Sequence, residues 1–149
     1  MTDYTKVAIE TLLPHSPPMV LLDRVLSYSE NCLIAEVCIS ESSMFYDSDI
    51  GGVPAWAGIE YMAQSIAALA GIKAKRAEKP IKIGFLLGTR KLILEQKIFR
   101  SGGVYCVMVE QLFRDESGLA SFECKIQQGE SLCVWAKVNV FETDEKSDE

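Results

Sequence analysis

One stretch of the sequence, residues 53–71, constrains the fold of this chain more than any other. It is rich in alanine and other apolar residues, and its only charged residue is Glu60. Pro54 suits the first turn of a helix, where a missing N–H costs nothing, so the pattern predicts one long apolar helix. Removing a carboxylate from water costs several kcal/mol unless the group is used or paired. Glu60 is therefore the first candidate for chemistry, the alternative being a partly exposed surface glutamate.

Length and composition predict one domain with a substantial core. The chain has 149 residues, of which 48% are hydrophobic, and we place the domain at 1–141 and an acidic C-terminal tail at 142–149. No apolar run approaches the roughly 18 residues of a membrane span, and none is expected. The five scattered cysteines form no C-x-x-C pair. They predict neither a disulfide framework nor a metal site, and they favour a reduced, cytoplasmic protein.

Charge is distributed unevenly along the chain. The net charge is −6, yet residues 71–100 hold nine lysines and arginines against Glu78 and Glu95, a local net charge of +7. Such a segment can steer an acidic partner, although cations also suit the end of a helix. Nucleic acid is not the expected partner, because no aromatic–basic interleaving or binding motif occurs. We define the basic patch as Lys73, Lys75, Arg76 and Lys79.

Hydrophobic patterns and turn residues predict six strands and one short helix around the long one. The short helix is expected at Thr5–Leu13, and residues 40–52 are expected to form an irregular loop. Short turns between the later strands predict antiparallel pairing, and such a sheet must curl around the long helix to bury it. The predicted strands are Met19–Tyr28, Cys32–Ile39, Ile83–Glu95, Val104–Arg114, Leu119–Gln128 and Ser131–Phe141.

Two motifs resemble those of the 3-hydroxyacyl-acyl-carrier-protein dehydratases. Residues 13–25 read L-P-H-S-P-P-M-V-L-L-D-R-V and are similar to the family's opening L-P-H-R-x-P-F-L-L-V-D-R-V. Residues 54–64 read P-A-W-A-G-I-E-Y-M-A-Q and are similar to its helix start, P-G-V-L-x-x-E-A-M-A-Q. The second motif most resembles the accessory dehydratase-like proteins of bacterial aryl-polyene pigment clusters. Together the motifs cover about a quarter of the chain.

The resemblance implies an α+β hotdog fold, in which a six-stranded antiparallel sheet wraps around one long central helix. It also implies a dimer, either of identical chains or with a related hotdog subunit. An acyl chain on phosphopantetheine, carried by acyl carrier protein or coenzyme A, would enter a tunnel at the subunit interface, and no other cofactor is implied. Glu60 matches the catalytic carboxylate, while the backbone N–H groups near Ala55 and Trp56 would hold the oxyanion.

The chain departs from the family at one position that matters for catalysis. The family's histidine lies in an H-F-P-G motif about eight residues before the helix proline, and Tyr46 stands at that place here. The single histidine, His15, belongs to the other motif, where it is either structural or a catalytic group brought in by the fold. Asp47 is a further candidate base. Gln64, four residues after Glu60, is expected to share its helix face and support it.

Three functions remain compatible with these residues. In a 3-hydroxyacyl-thioester dehydratase of fatty-acid or polyene biosynthesis, Glu60 would be the acid, kept protonated by its apolar surroundings. This is the leading hypothesis. In an acyl thioesterase, a single carboxylate could activate water or attack the carbonyl. In a non-catalytic subunit, Glu60 would complete the site of a partner that carries the histidine.

Overall fold

The long helix predicted from the sequence is present, and a sheet surrounds it. The computed structural model describes residues 2–14, 19–80 and 83–143. Within these ranges the chain forms one α-helix and eight strands. The helix is α1, Gly58–Arg76, and the strands are β1 Arg24–Tyr28, β2 Cys32–Cys38, β3 Gly52–Pro54, β4 Ile83–Leu94, β5 Ile98–Arg100, β6 Val104–Arg114, β7 Leu119–Gln128 and β8 Ser131–Thr143.

Six of the strands form one antiparallel sheet in the order β1-β2-β6-β7-β8-β4. Strands β6, β7 and β8 are consecutive hairpins, as the turn residues predicted. Strand β4, which follows the helix in sequence, crosses to the far edge and pairs with β8. Along β7 every second side chain is buried, because alternate residues of a strand face opposite sides of the sheet. The predicted α+β arrangement, with one sheet around one helix, is confirmed.

Helix α1 packs its apolar side against the inner face of this sheet. Each large side chain buried there contributes about 1.5–3 kcal/mol, so the helix and the sheet stabilise each other. The helix residues at the centre of the core are Met62, Leu69 and Ile72, and their fully buried strand neighbours include Leu33, Val107, Phe122 and Ile126.

The N-terminal region differs from the prediction. In place of one helix over Thr5–Leu13, the chain forms two 3-10 turns, Tyr4–Lys6 and Ile9–Leu12. A helix this short gains too few hydrogen bonds to offset the cost of nucleation. Strand β1 begins at Arg24 rather than near Met19, because Met19 and Leu21 bond to the side chain of Gln64 on the helix.

Two further differences concern short elements and the C-terminal boundary. Strands β3 and β5 pair with each other in a separate two-stranded sheet. The sequence analysis did not predict them, because a strand of three residues is too short to show the alternation of apolar and polar residues. Strand β8 continues past Phe141 to Thr143. Glu142, expected in the tail, is buried and forms an ion pair with Arg114 at 2.7 Å. The rest of the predicted tail, 144–149, lies outside the described residues.

Strand β4 leaves one edge of the sheet uncovered. Leu86, Leu87, Leu92, Ile93 and Leu94 are between 39% and 58% exposed, an unusual density of apolar side chains for a surface. An edge strand also presents unpaired backbone N–H and C=O groups, which can pair with another chain. This edge is therefore a candidate interface.

Among the described residues, helix α1 and the 3-10 turns lack the combination of length and hydropathy that would let a helix cross a bilayer.

The contact between α1 and the second 3-10 turn gives a test of this packing. A methyl group on Gly71 would overlap the backbone carbonyl oxygen of Leu12, which cannot move without displacing the turn. We expect Gly71→Ala to lower the free energy of unfolding by about 2 kcal/mol, although alanine favours a helix by about 1 kcal/mol. The control is Gly88→Ala, since nothing lies within 4 Å of its added methyl. Equal urea stability of the two variants would contradict this packing.

Candidate active site

The start of helix α1 is held by the small β3–β5 sheet and by close packing. Pro54 ends β3 and caps a 3-10 turn, Ala55–Ala57, that leads directly into α1. At Gly58 an added methyl would lie 2.9 Å from Ile126 Cδ1 and 3.3 Å from Phe99 Cζ, so a larger residue would have to displace these side chains. The backbone around the first helical turn is thereby fixed relative to the sheet.

Glu60 lies in this first turn and is exposed on the single chain. Its carboxylate forms no hydrogen bond and no ion pair with any of the described residues. The sequence analysis expected a buried carboxylate, and for this chain taken alone that expectation is wrong. The sheet, the second 3-10 turn and the segment before β1 cover other sides of α1, whereas the side of Glu60 continues as a half-exposed alanine face, formed by Ala63, Ala67 and Ala70. On this chain alone, apolar side chains therefore do not enclose Glu60.

The two predicted oxyanion donors differ in their availability. The N–H of Ala55 donates to the carbonyl oxygen of Lys97 at 2.9 Å, so it is already engaged in this conformation. Trp56 follows within the same turn, where helical geometry supplies no internal partner for the first N–H groups. The role of the Trp56 N–H in holding negative charge stays a prediction.

An aromatic pair stands beside the helix start. The rings of Phe45 and Trp56 meet edge to face, with centroids 5.3 Å apart, although Trp56 is still 55% exposed. Phe45 adopts a positive φ of 71°, which is uncommon outside glycine and turns its side chain towards the helix. Tyr46, at the position of the family's histidine, is half-buried, and its N–H donates to the carbonyl of Ser43. The sequence analysis missed Phe45, because its backbone conformation has no signature in sequence.

Asp47 serves the loop itself. Its side-chain Oδ1 accepts the N–H of Asp49 at 2.9 Å, and its backbone carbonyl accepts the N–H groups of Ile50 and Gly51. Its own N–H donates to the carbonyl of Gly52, which ties the loop to the beginning of β3. These bonds describe a turn-forming aspartate, and no hydrogen bond or ion pair connects it, or Tyr46, to Glu60 in the described part of the chain.

Gln64 is almost fully buried, whereas Glu60, one turn earlier, is exposed. Its Oε1 accepts the N–H of Leu21 at 2.8 Å, and its Nε2 donates to the carbonyl of Met19 at 2.6 Å. Both bonds fix the segment that precedes β1 against the helix. Gln64 therefore acts here as a structural anchor. Neither of these two bonds involves Glu60, so they do not provide the support for Glu60 that the sequence analysis predicted.

The groups available for proton transfer are few. His15 lies outside the described residues, and it is the only histidine in the sequence. The described ranges contain no group of three or more His, Cys, Asp or Glu side chains that could hold a metal ion. At the helix start this chain thus offers one carboxylate, backbone N–H groups and aromatic walls.

The basic patch lies at the opposite end of α1. Lys75, Arg76 and Lys79 are exposed, while Lys73 is half-buried. Thirteen residues separate Glu60 from Lys73, which corresponds to about 20 Å along the axis at about 1.5 Å per residue. The patch is therefore too far from Glu60 to act on it directly. Any function of the patch would be to contact a binding partner.

Comparison with known proteins identifies the family. The family model ApeP-like, described as ApeP dehydratase, matches residues 7–149. The chain belongs to this family. A curated relative, the 3-hydroxyacyl-acyl-carrier-protein dehydratase FabZ of Chlamydia trachomatis, is 30% identical over 107 residues, covering 68% of this chain and 69% of that one. The FabZ of an Anaeromyxobacter strain is 34% identical over 86 residues, and the chain spans only 55% of its length.

Solved structures agree with this assignment. A structure described as the dehydratase heterocomplex ApeI:P from Xenorhabdus doucetiae is 31% identical, has a TM-score of 0.86, and matches over 93% of each chain. A hypothetical thioesterase with coenzyme A from Streptococcus pneumoniae has a TM-score of 0.63 over 83% of this chain and 88% of that one, but only 14% identity. The second likeness shows the fold alone. The predicted hotdog fold and the predicted membership of a dehydratase family are confirmed for this chain.

The anchoring role of Gln64 can be tested directly. Gln64→Ala removes the partner of the part-buried Leu21 N–H and Met19 carbonyl and empties a buried position, so we expect a loss of about 2 kcal/mol in unfolding free energy and faster hydrogen exchange at Leu21. The control is Gln111→Ala, because among the described residues the Gln111 side chain makes one long bond, 3.3 Å, to Asn31. That variant should stay within about 0.5 kcal/mol. Unchanged exchange at Leu21 in Gln64→Ala would refute the anchor.

Proposed function

We propose that this protein is the carboxylate-bearing subunit of a 3-hydroxyacyl-thioester dehydratase, in which a related hotdog subunit supplies the general base. One observation carries the proposal: Glu60 is exposed and unpaired at a rigid helix start, and no imidazole accompanies it in the described part of the chain. A site with half of the required groups is useful only if a second chain completes it.

The division of labour follows from the chemistry of dehydration. The base takes the proton from the carbon next to the thioester carbonyl, and those electrons form the new double bond. The bond between the third carbon and the hydroxyl oxygen breaks, and the acid donates the proton that lets this oxygen leave as water. Glu60 is the acid in this scheme. The Trp56 N–H stabilises the negative charge that develops on the thioester oxygen.

Features of the surface support an assembly with another hotdog chain. The apolar edge of β4 can extend its sheet into a partner's sheet. The alanine face next to Glu60 allows a second helix to approach closely, since its side chains are small. A neighbouring chain on this face would also remove water from Glu60, as an acid catalyst requires. The similar ApeI:P structure, described as a dehydratase heterocomplex, makes a non-identical partner the first choice.

The substrate class follows from the relatives and the charge distribution. The similar FabZ proteins are named for 3-hydroxyacyl groups on acyl carrier protein, and we propose the same thioester class here. The acyl group would be carried on a phosphopantetheine arm, and we propose no other cofactor for the reaction. The basic patch would receive an acidic carrier protein. The five free thiols suit a reducing compartment, and we place the protein in the cytoplasm.

The central test is Glu60→Gln in the complex of this full chain with a histidine-bearing hotdog dehydratase from the same organism. With a 3-hydroxyacyl carrier protein as substrate, we expect enoyl product from the wild-type complex and at least about a 100-fold lower kcat for the variant, because the amide cannot donate the proton. Mass spectrometry of the acyl group measures both. The control is Glu110→Gln, which removes an exposed carboxylate from β6 and should leave turnover unchanged.

Other outcomes of this assay would point to other functions. Release of free acid and thiol in place of the enoyl product would establish the thioesterase, which uses the same carboxylate. Equal turnover by the Glu60→Gln complex would show that Glu60 is not the acid and would overturn the proposal.

The basic patch is tested by charge reversal. We expect Lys75→Glu with Arg76→Glu to weaken carrier-protein binding severalfold at low salt, and the difference to shrink as salt screens it. The matched control, Lys6→Glu with Lys125→Glu, changes the net charge equally at positions outside the patch. If both double variants lose the same affinity, overall charge rather than the patch recruits the carrier protein. Surface plasmon resonance across a salt series measures this.

A further inference from the structure

The C-terminal half of α1 forms one wall of a cavity that the dehydration scheme does not use. The cavity has a volume of about 300 Å³ and lies between α1, the turn after it, and the part of the sheet where β6 and β8 end. This volume is at the lower end of the range for small-molecule sites, about 300–1,000 Å³. None of its described lining residues belongs to the first turn of α1, where Glu60 lies. We call it the helix-end cavity.

The inner wall of the helix-end cavity is hydrocarbon. Ile66, Leu69 and Phe122 line it and are at most 3% exposed, because they also belong to the packed core. The helix side is lined by small residues, whose short side chains leave the space open: Ala70, Ala74 and Ala77. Methylene groups of a ligand would leave water on this wall, which is favourable. The inner part of the cavity therefore suits the apolar body of a ligand.

The turn at the end of α1 adds a cation to this wall. Glu78 adopts a positive φ of 58°, the left-handed conformation that often ends a helix. The next N–H, that of Lys79, donates back to the carbonyl of Ala74 at 2.8 Å. This bond reverses the chain, so that Lys79 and Pro80 line the cavity. The backbone of Lys79 is thereby fixed, while its side chain is exposed and able to reach a ligand.

Arg114, at the end of β6, supplies a second cation. Its Nη1 donates to Glu142 Oε1 at 2.7 Å, and the side chain of Glu142 is only 7% exposed. The side chain of Arg114 is 29% exposed, so part of the guanidinium is accessible. A guanidinium has five N–H donors, and among the described residues this one makes a single hydrogen bond. Its remaining donors can bind a second carboxylate in the cavity.

The charge around the cavity favours an anion. Lys73, Lys79 and Arg114 line it, against one carboxylate, Glu142, among the described lining residues. Glu142 is paired with Arg114, and Lys79 forms no ion pair with any described residue, so Lys79 adds positive charge at the cavity. A carboxylate matches the planar guanidinium and brings one negative charge near Glu142, whereas a phosphate group brings nearly two. A monocarboxylate with an apolar body therefore matches both parts of the lining.

We propose that the helix-end cavity binds a free, ionised carboxylic acid of medium chain length. Arg114 and Lys79 hold its carboxylate, and its hydrocarbon chain packs against the inner wall at Leu69 and Phe122. Glu60 takes no part in this site, and the ligand is a free acid rather than a thioester. The cavity is thus a binding site separate from the one at the helix start.

The experiment measures octanoate binding to the full chain by isothermal titration calorimetry. We expect Lys79→Gln to weaken binding about three- to tenfold at low salt, because the carboxylate loses a charged partner, and the loss to shrink as salt is added. The matched control is Lys75→Gln, which removes the same charge from an exposed position of the same helix end that does not line the cavity. It should leave octanoate binding unchanged. Equal losses in the two variants would assign the effect to overall charge and overturn the proposal.

Arg114→Lys tests the second cation. Lysine keeps a positive charge beside Glu142 but lacks the forked guanidinium, so we expect octanoate binding to weaken about threefold or more. The Tm of the ligand-free variant shows whether the chain still folds. Unchanged octanoate affinity in a folded Arg114→Lys variant would contradict its proposed contact with the ligand, and the Lys79→Gln comparison decides the matter if the variant does not fold.

Probes that lack one part of the ligand complete the test. Acetate lacks the apolar body and 1-octanol lacks the charge, so each should bind at least about tenfold more weakly than octanoate. NMR titration should show octanoate-induced shifts at Leu69 and Phe122. Absence of octanoate binding, equal affinity for 1-octanol, or shifts centred on Glu60 would each overturn the proposal. The measurement needs neither a thioester nor a partner subunit, so its result is independent of whether the complex dehydrates its substrate.

Discussion

The burial of α1 by a single curved sheet is the constraint on which the other features depend. Six strands surround the helix on most sides, and the packing of side chains such as Met62, Leu69 and Ile72 fixes its rotation. One side of the helix is left without a strand to cover it, and that side carries Glu60 and the alanine face. The position of the candidate catalytic group is thus a consequence of how far the sheet extends around the helix.

The two motifs that carry the family resemblance are joined physically. Gln64, from the second motif, bonds to the backbone at Met19 and Leu21, from the first. The spacing of four residues correctly placed Gln64 one turn beyond Glu60, yet the two side chains have opposite environments. Gln64 lies where the segment before β1 crosses the helix, while Glu60 lies where nothing crosses it. A helical period predicts which residues share a side, but the neighbouring segments decide whether that side is covered.

The same distinction explains what the sequence could and could not predict. The predicted bounds of β6 and β7 coincide with the observed strands, because alternating apolar residues and glycine-containing turns define them locally. Strands β3 and β5 were missed, since each is three residues long and exists only through its partner. The burial of Glu60 was overestimated from the average composition of its helix.

An exposed carboxylate is an ordinary surface group, and this makes assembly part of the proposed chemistry. In water the carboxylate of Glu60 is not enclosed by apolar side chains, and no hydrogen bond or ion pair connects it to a base among the described residues. A second chain on the alanine face would supply the missing base and, at the same contact, remove water from Glu60, which favours the protonated form of a carboxylic acid. The free energy that desolvates the acid then comes from the apolar contacts of the interface, including the edge of β4. Binding of the partner and activation of the acid would be one event, so a chain that keeps the carboxylate and lacks the imidazole need not have lost its role in catalysis.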